Sequence, residues 1–427
     1  MYTYEHSVLL DESKCTGCTT CLRHCPTEAI RIKDGRAVIN PQRCIDCGEC
    51  IRVCPHKAKK AVLGKLSAMD RFKWKIALPA PSLYGQFDNL DEIDYVLDGL
   101  LKIGFDDVYE VSKAAELVTA YTRIYLKLDG IKKPAISSAC PVISRLISLR
   151  FPSLAEHIIH MLPPMEVAAK LAKDKALAEH PELKPEEVGV CFISPCPAKA
   201  SYVKNGFASY NSVVDEVISI KDVYFSLIST MKKSNDTPSL SESGRIGIGW
   251  ARSGGEATAI FNDDYLAADG IDNVIRVLDQ LENGNIPPVE FIELNACAGG
   301  CVGGVLTIQN PFIAKARLQS LRRYLPVSKN QLSAEESTYI PDHYLFDDLP
   351  EYMPISRLSD SIAKSMRMLA DIHAFKDTLP GIDCGSCGSP TCRAFAEDVI
   401  KGTAKANECP IKELKRLSER EDAEYDS

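Results

Sequence analysis

Seventeen cysteines in 427 residues constrain this chain more than any other feature. Their number is odd, and the stretch from Met1 to Lys14 carries acidic residues without an apolar core, so a signal peptide is not expected. Both observations exclude a secreted disulfide framework. Thiolates kept reduced in the cytoplasm, the expected location, bind metal more often than they pair. Sixteen of the cysteines sort into four groups of four, leaving one over, and they lie in three blocks. The remaining composition, 45% hydrophobic and 25% charged, is that of a globular chain with room for two to four domains. A net charge of −8 sets nucleic-acid binding aside. No run of about 18 apolar residues exists to span a membrane.

The first block reads Cys15-x2-Cys18-x2-Cys21-x3-Cys25-Pro26 and then Cys44-x2-Cys47-x2-Cys50-x3-Cys54-Pro55. The spacing is that of bacterial two-cluster ferredoxins, in which the fourth cysteine of each half serves the other half's cluster. Cys15, Cys18, Cys21 and Cys54 should therefore hold one [4Fe–4S] cluster, and Cys44, Cys47, Cys50 and Cys25 the second. A pair of zinc sites is the alternative. Gly17 and Gly48 are expected to let backbone amides approach the cluster sulfurs. The last block, Cys384-x2-Cys387-x4-Cys392-x16-Cys409, resembles the small four-cysteine iron–sulfur domain of corrinoid iron–sulfur proteins. Zinc suits four cysteines too. A short helix is expected from Arg393 to Lys401.

The middle block is scattered: Cys140, Cys191, Cys196, Cys297 and Cys301. Isolated cysteines are commonly buried apolar residues. Here Cys140, Cys196 and the Cys297/Cys301 pair each follow an apolar run that reads as a strand of a parallel sheet, where ligands sit beyond the carboxyl ends. Cys191 lies inside such a run and reads as a buried core thiol.

Three segments of this block resemble the three cluster motifs of the [FeFe]-hydrogenase family. They are Ser137-Ser-Ala-Cys140-Pro, Ser194-Pro-Cys196-Pro-Ala-Lys199 and Glu293-Leu-Asn-Ala-Cys297-Ala-Gly-Gly-Cys301-Val-Gly-Gly304. The resemblance covers nearly the whole chain. It implies an α/β multidomain protein with a ferredoxin module (1–65), a hydrogenase-like domain with two parallel-sheet lobes (70–350), and a connecting helix with a C-terminal four-cysteine [4Fe–4S] domain (355–427). It implies that Cys140, Cys196, Cys297 and Cys301 hold a [4Fe–4S] cluster. Cys301 would also bridge to a diiron subsite carrying CO, cyanide and azadithiolate. H2 and protons would be the substrates, and dedicated maturation proteins would install the diiron unit. Lys199 would donate a charge-assisted hydrogen bond to cyanide; a solvated surface lysine is the plain alternative. Gly299, Gly300, Gly303 and Gly304 would leave room beside the cofactor.

Departures from the family pattern matter equally. The cysteine that relays protons in the family is Ala139 here, methionines before two ligands are Ser194 and Asn295, and a relay glutamate is replaced by Tyr202. These departures resemble the family's sensory branch, and the stop at Ser427 fits the group D-like members without a PAS domain. Slow turnover, H2 sensing and an anaerobic host are the implied setting; the redox or signalling partner stays open. In Arg245-Ile-Gly-Ile-Gly-Trp-Ala-Arg-Ser-Gly-Gly255-Glu256 a carboxylate stands where the family has an apolar residue. Glu256 and Glu293 are expected to relay protons, with Ser137 or Tyr121 as helpers. A solvated Glu256, or one paired with Arg252, is the alternative. An iron–sulfur assembly factor and an electron-transfer module, both without diiron chemistry, are the competing functions.

Elsewhere, Asn89-x-x-Glu92 reads as a capping box before a helix with Ile93, Val96, Leu97, Leu100 and Leu101 inward. Pro163-Pro164 should open a helix at Met165. Residues 173–187 read as an exposed loop or helix end, 232–244 as a loop and 330–354 as a connector. A helix is expected within 357–376, and a frayed acidic tail after Leu417. His157 and His160 lack partner ligands and read as structural.

Overall fold

Period-two and period-3.6 hydrophobic patterns alternate along most of the chain. In the computed structural model, which describes residues 4–206, 210–231, 237–348 and 358–416, they produce a mixed α/β architecture. Contacts divide the chain into two units. One comprises Met1–Cys44, Glu49–Ala61 and Met353–Ser427; the other comprises Ile45–Gly48 and Val62–Tyr352.

In the first unit, strands β1 (Val8–Leu10), β2 (Ile30–Lys33), β3 (Arg36–Ile39) and β4 (Lys59–Ala61) form two antiparallel ladders, β1 with β4 and β2 with β3. One-turn helices Thr20–Arg23 and Glu49–Arg52 carry Cys21 and Cys50. The four-cysteine segment adds helices Ile362–Asp377 and Cys392–Ile400, packed through Ile372, Leu379, Phe395 and Ala396. Thr391 starts the second of these helices because its hydroxyl accepts the Ala394 N–H at 3.0 Å. The acidic tail after Leu417 lies outside the described residues.

The second unit holds β5 (Trp74–Pro79), β6 (Asp107–Val108), β7 (Ala135–Ile136), β8 (Val188–Ser194), β9 (Glu216–Ser219), β10 (Tyr265–Asp269) and β11 (Phe291–Asn295). They form two parallel sheets, in the orders β6-β5-β8-β9 and β10-β11-β7. Every residue of β8 is buried, as a central strand covered on both faces requires. Alternation then sorts the side chains: Ile76, Leu78, Val190 and Phe192 enter one core, and Ala77, Cys191 and Ile193 the other. Cys191 is fully buried, and burial pushes its thiol far above the usual range.

Local expectations fare unevenly. The helix behind residue 89 spans Asp94–Lys102, but Asn89 does not cap it: Asn89 adopts φ +50° five residues before the helix starts. Helix Pro164–Glu179 ends within 173–187, the helix-end form of that expectation, with Ala168, Ala169, Ala172 and Ala176 buried on one face. His157 Nδ1 lies 2.8 Å from the Pro134 carbonyl, and His160 stacks on Phe346, so both serve the fold.

Candidate active site

Three strand ends deliver the scattered cysteines to one cavity. Cys140 follows β7, Cys196 follows β8, and Cys297 and Cys301 follow β11; all four line the same largely apolar cavity. Proline occupies the first position of helices Pro141–Arg150 and Pro197–Asn205, and the preceding cysteine is the extended N-cap residue of each. Burial, reinforced by Cys140 and Cys301, pushes the Cys196 thiol up to about 12. Burial likewise lifts Cys301 to about 11 against the opposing charge of Lys199. Thiols so placed ionise only when a cation takes their charge, which is what iron does on coordination. Ser82, which no sequence motif marks, adds a buried hydroxyl with no hydrogen-bond partner in the cavity wall. The donor set and this unsatisfied group fit a sulfur-ligated iron cofactor.

Lys199 points into the cavity, and its ammonium donates to the Ala139 carbonyl at 2.8 Å. Beside it lies a pair of buried carboxyls. Glu293 accepts N–H bonds from Gly254 at 2.9 Å, Ala257 at 2.8 Å and the Asn295 amide at 2.6 Å. Glu256 accepts from the Ser137 hydroxyl at 2.6 Å, and that hydroxyl in turn accepts the Ala139 N–H at 3.2 Å. Burial raises both carboxyls, and each disfavours the other's charge. With three donors on Glu293 and one on Glu256, the proton belongs on Glu256. Glu256 is thus buried rather than solvated, only 5% exposed. A further carboxyl close enough to feel Lys199, Glu166, is buried and accepts from Ser212, Tyr210 and the Val213 N–H. It sits inside an amphipathic helix, where nothing in the sequence separates it from a surface acid.

Other expected residues have different tasks. Ser194 lies outside the cavity lining: its hydroxyl accepts the Cys196 N–H at 3.1 Å and donates to the Cys196 carbonyl, bracing the turn. Asn295 does line the cavity, but its amide is committed to Glu293. Tyr121 packs on Tyr344, ring centroids 4.4 Å apart, and not on the carboxyl pair. Tyr202 is buried near Glu166. Gly300 and Gly304 line the cavity, and close approaches constrain all four glycines as well. A Cβ at Gly303 would lie 2.0 Å from the Ala298 carbonyl oxygen and one at Gly304 2.2 Å from that of Pro195, so both are demanded by backbone crossing backbone. A Cβ at Gly300 would strike Ser253, and one at Gly299 would crowd Pro311. Gly17 likewise abuts the Gly35 carbonyl, and Gly48 abuts Val305.

In the first unit, Cys15, Cys18, Cys21 and Cys54 line one small pocket, so the fourth cysteine there belongs to the second repeat. The Cys21 thiol is raised to about 11 by burial, with Cys54, Cys15 and Cys18 adding to it. The fourth cysteine of each repeat accepts a backbone N–H four residues on, Ala29 to Cys25 at 3.2 Å and Ala58 to Cys54 at 3.3 Å. Cys44 is buried and Cys50 half-buried in this unit, while Cys47 falls in the short segment Ile45–Gly48. Lys59, unmarked in the sequence, is buried at the first pocket with no hydrogen-bond partner for its ammonium, which suits an anionic cluster there. At the other end, Cys384 and Cys409 both bear on Cys387, and Cys387, Cys392 and Cys409 share one small core.

The comparisons agree with this geometry. A family model described as iron only hydrogenase large subunit, C-terminal domain, matches residues 73–268 and 256–305. A 4Fe-4S dicluster domain matches 7–55, and an Fe-S cluster family matches 379–411. The periplasmic [Fe] hydrogenase large subunit of Nitratidesulfovibrio vulgaris is 30% identical over 220 residues, 45% of this chain and 50% of that protein. The chain thus spans about half the length of that curated relative. Acetyl-CoA decarbonylase/synthase complex subunit gamma 1 of Methanosarcina thermophila is 42% identical over 52 residues, 12% of this chain and 11% of that one. In fold, the chain is similar to a variant of the [FeFe]-hydrogenase of Chlamydomonas reinhardtii, with TM-score 0.50, 15% identity, and coverage of 68% of this chain and 98% of that one. Because residues 73–305 make up more than half of the chain and contain the whole four-cysteine cavity, the chain belongs to the iron-only, or [FeFe]-, hydrogenase family.

Proposed function

We propose that this protein interconverts H2 with protons and electrons at an H-cluster in the four-cysteine cavity, slowly and in a sensory or regulatory role. One observation carries the reading. Cys140, Cys196, Cys297 and Cys301 converge on a cavity that also holds Lys199 and the Glu256–Glu293 pair. The four thiolates would hold the [4Fe–4S] part of the cofactor, and Cys301 would also be a ligand of its diiron part. When bound, that cofactor supplies the splitting and formation of H2 and takes up the electrons.

The chain's own residues bind, orient and move protons. Lys199 offers a charged donor at the cavity wall. Ala139 stands where the family has a proton-relaying thiol and carries no proton. Glu256 takes over proton storage, Ser137 connects it to the backbone beside Ala139, and Glu293, whose charge its N–H donors favour, receives the proton next. Positioned acid–base groups contribute about 10²–10⁴-fold to rate, so a rerouted relay is consistent with slow turnover. A cytoplasmic location, maturation proteins as partners and an undefined signalling partner complete the reading. No helix among the described residues is long and apolar enough to cross a membrane.

The test is infrared spectroscopy of the cluster-reconstituted protein after addition of a synthetic diiron cofactor, under H2 and under argon. Bands of bound CO and cyanide that shift with the gas, together with slow H2 turnover, support the proposal. Full cubane occupancy without such bands overturns it in favour of an electron-transfer or assembly protein.

A further inference from the structure

The four-cysteine segment at the C-terminal end is seated on the ferredoxin repeat, within the first unit. Two adjacent acids at the end of helix Cys392–Ile400 meet two arginines of the repeat. Arg31 forms a forked pair with Asp398, Nε to Oδ2 at 2.5 Å and Nη2 to Oδ1 at 3.3 Å, and Arg43 reaches Glu397 at 2.7 Å. These side chains are between 8% and 17% exposed, which is unlike a surface ion pair. Ser389 completes Asp398 at 2.8 Å. Buried pairs of this kind fix a geometry more than they add stability.

The geometry they fix brings two sulfur sites together. The Ile32 N–H donates to the Gly388 carbonyl at 2.8 Å. Gly388 directly follows Cys387, and Ile32 lines the pocket of Cys15, Cys18, Cys21 and Cys54. The approach is so close that a Cβ on Gly388 would lie 2.3 Å from the Ile32 carbonyl oxygen. A second bridge runs beside it: Gly385, next to Cys384, abuts the fully buried Leu22, next to Cys21. Two ligand loops of one site therefore touch the wall of the other through covalent bonds, one hydrogen bond and one packed side chain, with no solvent layer between.

We propose that the cluster at Cys384, Cys387, Cys392 and Cys409 exchanges electrons directly with the cluster at Cys15, Cys18, Cys21 and Cys54. The segment is then a built-in third relay of the ferredoxin module, not a separately tethered domain. The step balances as one electron: the reduced [4Fe–4S]+ cluster becomes [4Fe–4S]2+ as its neighbour undergoes the reverse change, and no bond or proton moves. The proposal rests on the reading that both cysteine sets hold iron–sulfur clusters, and its test separates the two claims.

The full chain, reconstituted with iron and sulfide, is reduced stepwise with dithionite and followed by electron paramagnetic resonance. In the unaltered protein, the signal of whichever cluster reduces first broadens and splits as its neighbour takes up its electron. In Cys384→Ser, iron and sulfide analysis shows one cluster lost, and the splitting that remains is only that between the two ferredoxin clusters. Splitting that is the same in Cys384→Ser as in the unaltered chain overturns the relay while leaving the cluster reading intact. Zinc in place of iron at the C-terminal cysteines overturns both. If Cys384→Ser fails to fold, Cys409→Ser removes the same cluster and repeats the comparison.

Discussion

Glu256 and Glu293 share one desolvated site, yet their partners give them opposite tasks. Burial raises both carboxyls, but three N–H donors oppose it on Glu293 and a single hydroxyl on Glu256, so the proton is kept longer on Glu256. Infrared spectra at neutral pH should show a protonated carboxyl band that Glu256→Gln removes, and the variant's H2 turnover should fall by at least about tenfold. The sign for stability follows from linkage. The unfolded chain releases this proton near pH 4.5 and the folded chain only at higher pH, so stability declines as pH rises through that interval. Melting curves of Glu256→Gln should lose that part of the slope. Lys59 is the comparable case at the ferredoxin pocket. A buried ammonium without a hydrogen-bond partner favours the more negative, reduced cluster, so Lys59→Met should lower that cluster's midpoint potential by tens of millivolts in a redox titration.

Strands and the turns after them explain why ligands so far apart in sequence form one site. Parallel strands β7, β8 and β11 end in the same sense within their sheets, and proline or glycine follows within five residues of each end. Along β8, the period of two sends Cys191 into a core and leaves Cys196, beyond the strand end, at the cavity. Cys191→Ala should therefore leave iron content unchanged and cost about 1 kcal/mol in a denaturant titration, the expected order for a small buried deletion. The same periodicities make these strands and the helix Asp94–Lys102 readable in the sequence. No capping box forms at Asn89, because a favourable residue spacing says nothing about φ, and Asn89 adopts the left-handed conformation. The stretch after Lys173 is mostly exposed, as its charges suggest, and Ala176 is its one buried alanine on the helix Pro164–Glu179.

At the scale of the molecule, long-range pairs decide how the modules are used. Arg31 and Asp398 are 367 residues apart and nothing in either neighbourhood marks them as partners. Arg31→Ala should leave the Asp398 carboxylate without its forked partner and destabilise the first unit by about 1–3 kcal/mol, measured as a lowered unfolding midpoint of the reconstituted protein. The cysteine ligands are legible because cluster chemistry demands a soft donor at set spacings, and such a pattern survives any change of packing. The helical and strand periods are legible because a hydrophobic face must repeat with its element. What the glycines of the last motif are for, which carboxyl keeps the proton, where Ser194 spends its hydroxyl, and that Ser82, Lys59 and Glu166 face inward all depend on atoms contributed by distant segments. Local sequence specifies what each residue can do. Only the tertiary structure brings the second group within reach and removes the water, and that pairing sets whether a charge is kept, a proton held or a turn braced.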